Sequence, residues 1–136
     1  MFSGSLLPAS GTTTVLTTVK VPTPIEQQIG IVQEKITNVA IAYGYDPKLA
    51  IAIMKCEGEA YKTKGNNKNY DKQGNHWSTD IGLFQINNYY HDAAAKKLGI
   101  DIYTDQGNIV YAMYLMQHQG TKPWNASRQC WTKMIS

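Results

Sequence analysis

Apolar residues recur at spacings of four and three from Ile25 through Ile29, Val32 and Ile36 to Ala40, which places them on one stripe of a helix. The start signal stands just before them. Thr23-Pro24-Ile25-Glu26 supplies an N-cap hydroxyl, a proline at the first helical position and a glutamate placed to reach back to the cap. Gly44 ends the pattern. Asp46-Pro47 opens a second helix by the same logic, and Leu49 to Glu57 is apolar enough to be buried, with Gly58 as its stop. From Lys62 to Trp77 the character changes. Lys64 to Asn69 and Asp71 to Asn75 are crowded with turn formers, which predicts loops and a small β-hairpin. Helical signals return over Asp92 to Leu98, before Gly99, then from about Thr104 to Gln119, before Gly120, and last from Trp124 to Met134. Two helices, a small polar β-region and three further helices make an α+β chain in which helices dominate.

Residues 1–22 stand apart, being rich in Thr, Ser and Gly. The β-branched run from Thr12 to Val19 suits a strand, but no partner strand with matching alternation follows, so this stretch reads as a flexible leader or linker before a domain at 23–136. Its first residues lack the basic start and longer apolar core of a signal peptide, so export would require a targeting segment already removed or another route. No apolar run approaches the ~18 residues of a membrane span, so no stable membrane insertion is expected.

The chain has 136 residues, enough for one domain with a core and too few for two, and a monomer is expected. Thirteen basic and ten acidic side chains leave a net charge of +3, a mild bias that would help binding to an anionic polymer such as a bacterial cell wall. Arg128 is the single arginine, which argues against a nucleic-acid partner, because arginine is the usual reader of phosphates and bases. Cys56 and Cys130 are the only cysteines. Without a CxxC they cannot build a zinc site, and they are either two reduced core residues or one long-range disulfide suited to an exported protein. His76, His91 and His118 show no metal-binding spacing, so they read as surface or hydrogen-bonding residues, and no metal or cofactor is expected. Asn125-Ala126-Ser127 is formally a glycosylation sequon, placed inside the last predicted helix.

Two carboxyls carry candidate chemistry. Glu57 falls at the C-terminal end of its helix, where the dipole disfavours negative charge, and follows the largely apolar Ile53, Met54 and Cys56. Both influences favour the protonated form and suit a general acid. Glu59, two residues on and past Gly58, is expected to face water. Asp80 follows Ser78 and Thr79, whose hydroxyls can donate hydrogen bonds to a carboxylate. One carboxyl that keeps its proton beside another that carries charge is what glycosidic bond cleavage requires. Read singly, each residue is equally an ordinary surface acid.

The string Ser78-Thr79-Asp80-Ile81-Gly82-Leu83-Phe84-Gln85-Ile86-Asn87, with Glu57 upstream, resembles the active-site hairpin of the lysozyme superfamily, shared by animal-type lysozymes and bacterial lytic transglycosylases. The resemblance runs from about Thr23 to Trp131. It implies a mainly helical lysozyme-like fold, Glu57 and Asp80 as catalytic residues, and Gln85 and Asn87 lining a sugar-binding cleft. Their amides offer a donor and an acceptor to hydroxyl and N-acetyl groups, or else stabilise the hairpin. Tyr89, Tyr90 and Trp124 are candidate stacking platforms for sugar faces, with core packing as the alternative. Pro123-Trp124 falls where the animal enzymes place a tryptophan beside the acid.

Three departures bear on the subfamily. Two cysteines cannot supply the several disulfides of animal lysozymes. Asp80 lies 23 positions beyond Glu57, a longer interval than in those enzymes. Gly58 stands where a serine usually follows the acid. Together they favour a bacterial or phage lytic transglycosylase of the SLT type. That resemblance implies cleavage of the β-1,4 bond between N-acetylmuramic acid and N-acetylglucosamine in peptidoglycan glycan strands, outside the cytoplasm or as phage cargo. Transglycosylases close a 1,6-anhydro ring with a single glutamate, whereas Asp80 also permits hydrolysis. A non-catalytic member binding glycan or protein through the same cleft is the remaining expectation.

Overall fold

The capping box at Thr23 forms as its residues dictate. The Glu26 amide donates to Thr23 Oγ1 at 3.2 Å, the Thr23 amide donates to Glu26 Oε2 at 2.8 Å, and α1 runs Pro24–Ala42. The computed structural model of the chain describes residues 20–58 and 66–136. Residues 1–19, most of the expected leader, and Glu59 lie outside the described residues. Asp46 caps α2 (Pro47–Glu57) through the Lys48 amide. The polar middle of the chain folds into three antiparallel strands in the order β1-β2-β3: β1 (Asn67–Tyr70), β2 (His76–Ile81) and β3 (Ile86–Asn87). Helices α3 (Asn88–Lys97), α4 (Asp105–Gln119) and α5 (Arg128–Ile135) complete the described elements, with a 3-10 segment over Lys122–Ser127 leading into α5. The fold is α+β and mainly helical, as the pattern predicts.

The core gathers around α4, which buries Ile109, Tyr111, Ala112, Met113, Leu115 and Met116 over most of its circumference. Helix α1 packs on both α2 and α4, and α2 packs on α5. The stripe on α1 is only partly used. Val32, Ile36 and Ala40 are buried, but Ile25 is 63% exposed because the first two turns extend past the body. No helix among the described residues is long and apolar enough to cross a membrane. Cys56 and Cys130 form a disulfide, which ties the end of α2 to α5 across 74 positions of sequence.

Two element boundaries differ from the sequence reading. Helix α3 begins at Asn88, four residues before Asp92, because the Asn87 side chain accepts from the Tyr89 and Tyr90 amides and acts as its N-cap. The predicted helix from Trp124 to Met134 is split: Trp124 sits at φ −111°, ψ 23°, outside helical geometry, and regular helix starts only at Arg128.

The turn from β2 to β3 is bolted to α4 by Asn108, which is buried. Its Nδ2 donates to the Ile81 and Ile102 carbonyls at 2.8 and 2.9 Å, and its Oδ1 accepts from the Phe84 amide at 2.8 Å. Gly82 is required beneath it: its φ is +72°, and an added Cβ would lie 2.7 Å from Asn108 Nδ2. Asn108→Leu keeps the volume but orphans three buried backbone groups. It is expected to lower folding stability by about 3 kcal/mol or more, read as a fall in the urea midpoint with unchanged m-value.

Candidate active site

Strand register determines where the second carboxylate stands. Asp80 on β2 pairs with Asn67 on β1 and with Asn87 on β3, so two amides flank it within the sheet. Asn87 Nδ2 donates to Asp80 Oδ1 at 2.9 Å and to Ser78 Oγ at 3.1 Å. The expected bonds from the hydroxyls of Ser78 and Thr79 to Asp80 are not formed among the described residues. Ser78 Oγ accepts from Asn69 and Asn87, and Thr79 Oγ1 pairs with His76 Nε2 at 2.8 Å. Period-two alternation turns Thr79 to the other sheet face, whereas Ser78 shares the face of Asp80 and is buried beside it.

Glu57 is the last residue of α2 and half-buried. Burial raises its pKa above the ordinary 4.5, a hydrogen bond from Ser127 opposes that, and the nearby Asp80 charge adds to the rise. Gly58 allows the close approach that brings it there. Its Cβ position lies 3.1 Å from the Leu83 carbonyl oxygen and 3.3 Å from that of Met54, so a serine here would crowd the β2–β3 turn.

Both carboxyls face one open cleft of about 510 Å³ between the sheet and the helical body. Of the seven residues singled out in the sequence, Glu57, Asp80, Gln85, Asn87, Tyr90 and Trp124 line it. Tyr89 does not. It is 67% exposed and stands beside the cleft in edge contact with Tyr90 and with Trp77, their ring centroids 5.1 and 5.4 Å away. Tyr90 and Trp77 are 65% and 43% exposed, so these three rings form an open aromatic rim. Trp124 follows the core-packing alternative. Only 3% exposed, it donates from its indole nitrogen to the Phe84 carbonyl at 2.9 Å and builds the cleft wall.

The two amides are largely committed to the scaffold. Gln85, at φ +51°, donates to the Gly82 carbonyl at 2.8 Å and accepts from Asn67, which closes the turn. Asn87 spans Ser78, Asp80 and the α3 cap, so its polar atoms are tied to the strand, the carboxylate and the helix start.

Sequence reasoning passed over several residues that stand here. By sequence Trp77 only closes the turn-rich stretch of loops and hairpin, with nothing to mark it as part of the site. His91 lines the cleft, bonds the Tyr111 hydroxyl at 3.0 Å and has a pKa lowered by burial, so it is a neutral donor or acceptor near pH 7. Ser127, noted only in the sequon, donates to Glu57 Oε2. No local signal marks it, because its partner is 70 positions away. Among the described residues no group of three or more His, Cys, Asp or Glu could hold a metal ion. The site thus offers a half-buried carboxyl whose pKa burial raises, a second carboxylate fixed by an amide, and an open polar cleft with an aromatic edge. No family model, curated protein or solved structure matches the chain.

Proposed function

We propose that this chain cleaves peptidoglycan glycan strands at the β-1,4 bond between N-acetylmuramic acid and N-acetylglucosamine, as a lytic transglycosylase with Glu57 as general acid and then base. The observation that carries this reading is the pairing in one cleft of half-buried Glu57, with its raised pKa, and Asp80 held by Asn87. In the first step Glu57 gives its proton to the glycosidic oxygen as the bond to the muramic C1 breaks. The Asp80 carboxylate faces the same cleft and offsets the positive charge growing on the ring. In the second step the Glu57 carboxylate takes the proton of the muramic O6 hydroxyl as that oxygen bonds C1. A 1,6-anhydro ring closes and the acid is regenerated.

Water in place of O6 would give hydrolysis. Asp80 favours keeping that second reading, since its charge already acts on Glu57 within the cleft. The open cleft suits a chain substrate, and the exposed faces of Tyr90, Tyr89 and Trp77 suit the apolar faces of pyranose rings. The Cys56–Cys130 disulfide agrees with an extracytoplasmic location, where the wall lies.

Digestion of purified peptidoglycan followed by mass spectrometry of the muropeptides tests the proposal. Products lighter by one water at the muramic end support transglycosylation, and reducing ends support hydrolysis. Absence of both leaves glycan or protein binding without turnover as the function.

A further inference from the structure

Glu57 accepts its hydrogen bond on one side only. Oε2 receives the Ser127 hydroxyl, while Oε1 has no protein partner among the described residues and belongs to a side chain that lines the cleft. Ser127 closes the 3-10 segment, one turn after Trp124, whose indole is anchored on the Phe84 carbonyl. The Trp124 carbonyl lies 3.2 Å from the same hydroxyl, so a second acceptor stands behind it. The disulfide joins Cys56, the residue before Glu57, to Cys130, three residues after Ser127. Donor and acceptor therefore sit on two segments that are covalently clamped beside them.

Resting on the reading of Glu57 as the acid, the geometry points to Ser127 as a positioning residue that holds Oε2 and leaves Oε1 as the oxygen that carries and delivers the proton. A hydroxyl that donates to one carboxyl oxygen makes that oxygen the poorer site for a proton, so the acidic hydrogen resides on the other. The same contact limits rotation of the carboxyl about its terminal torsion, which is otherwise broad. It also stabilises the carboxylate formed after the first step, in opposition to burial. Nothing in this role requires Ser127 to touch the sugar.

The test compares the parent with Ser127→Ala and Ser127→Thr by two readouts, one of which needs no turnover. In carbon-13 NMR of the labelled side chain, the Glu57 carboxyl is expected to titrate at higher pH in Ser127→Ala and at the parent pH in Ser127→Thr. In glycan digestion, Ser127→Ala is expected to lose about tenfold in kcat with KM within about twofold, the size of one charge-assisted hydrogen bond used in the reaction. Its alkaline activity limb is expected to move to higher pH, and threonine to restore all three. An unmoved Glu57 titration in a folded Ser127→Ala protein overturns the proposal. If that variant does not fold, a Ser127→Thr titration that departs from the parent overturns it instead, and one that matches the parent supports it. A parent without activity counts against the enzyme reading alone, and the NMR titration still decides the contact.

Discussion

Glu57→Gln is expected to reduce glycan cleavage by on the order of 10²–10⁴-fold while leaving the fold intact, the range for losing a positioned general acid and base. Glutamine keeps the shape and can still accept from Ser127, so the cleft geometry persists while the transferable proton is gone. The sign of the stability change separates this from a folding defect. Burial and Asp80 raise the Glu57 pKa in the folded chain, so the folded state holds this proton more tightly than the unfolded state. Ionising Glu57 therefore costs folding stability. That cost is absent well below the ordinary 4.5, grows as pH rises, and is complete above the folded pKa. At neutral pH the variant should be at least as stable as the parent, and at low pH the difference should vanish. Thermal melts at both pH values, beside digestion assays, check it. In the parent, activity should fall on the alkaline side at higher pH than an ordinary carboxyl would set, since the acid must begin protonated. A variant that stays active would remove Glu57 from the mechanism.

The second large effect is expected from opening the Cys56–Cys130 disulfide. The bond closes a loop spanning 74 positions, for which chain-entropy arguments give a stabilisation of about 4 kcal/mol. Replacing both cysteines with serine should lower stability by roughly that amount, measured by denaturant titration against the oxidised parent. Activity should fall as well under conditions where the variant remains folded, because the bond joins the α2 end that bears Glu57 to the segment that bears Ser127. A reduced or serine variant with unchanged stability would show that α2–α5 packing alone carries this junction.

Legibility from the sequence followed the range of the forces involved. The start of α1 was readable because the capping box is complete within four residues, and the start of α2 because Asp46-Pro47 combines a cap with a proline suited to the first turn. The α3 start was missed because Asn87 does two tasks, ending β3 and capping the helix. The last helix was split because the packing of Trp124 against Phe84 and its bond to the Phe84 carbonyl override local helical preference.

At the site, the sequence by itself determined the two candidate carboxyls, one at the end of an apolar helix and one in the polar turn-rich region after it, and the α+β order that frames them; that Asp80 stands on a strand came from the fold. These follow from local pattern, where the interacting groups lie within a few residues of one another. Only the tertiary structure decided the rest: that Asn87 holds Asp80, that Trp124 forms wall and not platform, that Trp77 joins the rim, and that Ser127 reaches Glu57. Each of these depends on strand register or on segments joined across tens of residues. Such contacts come from the collective burial of a core, and no short window of sequence records which polar groups it will bring face to face.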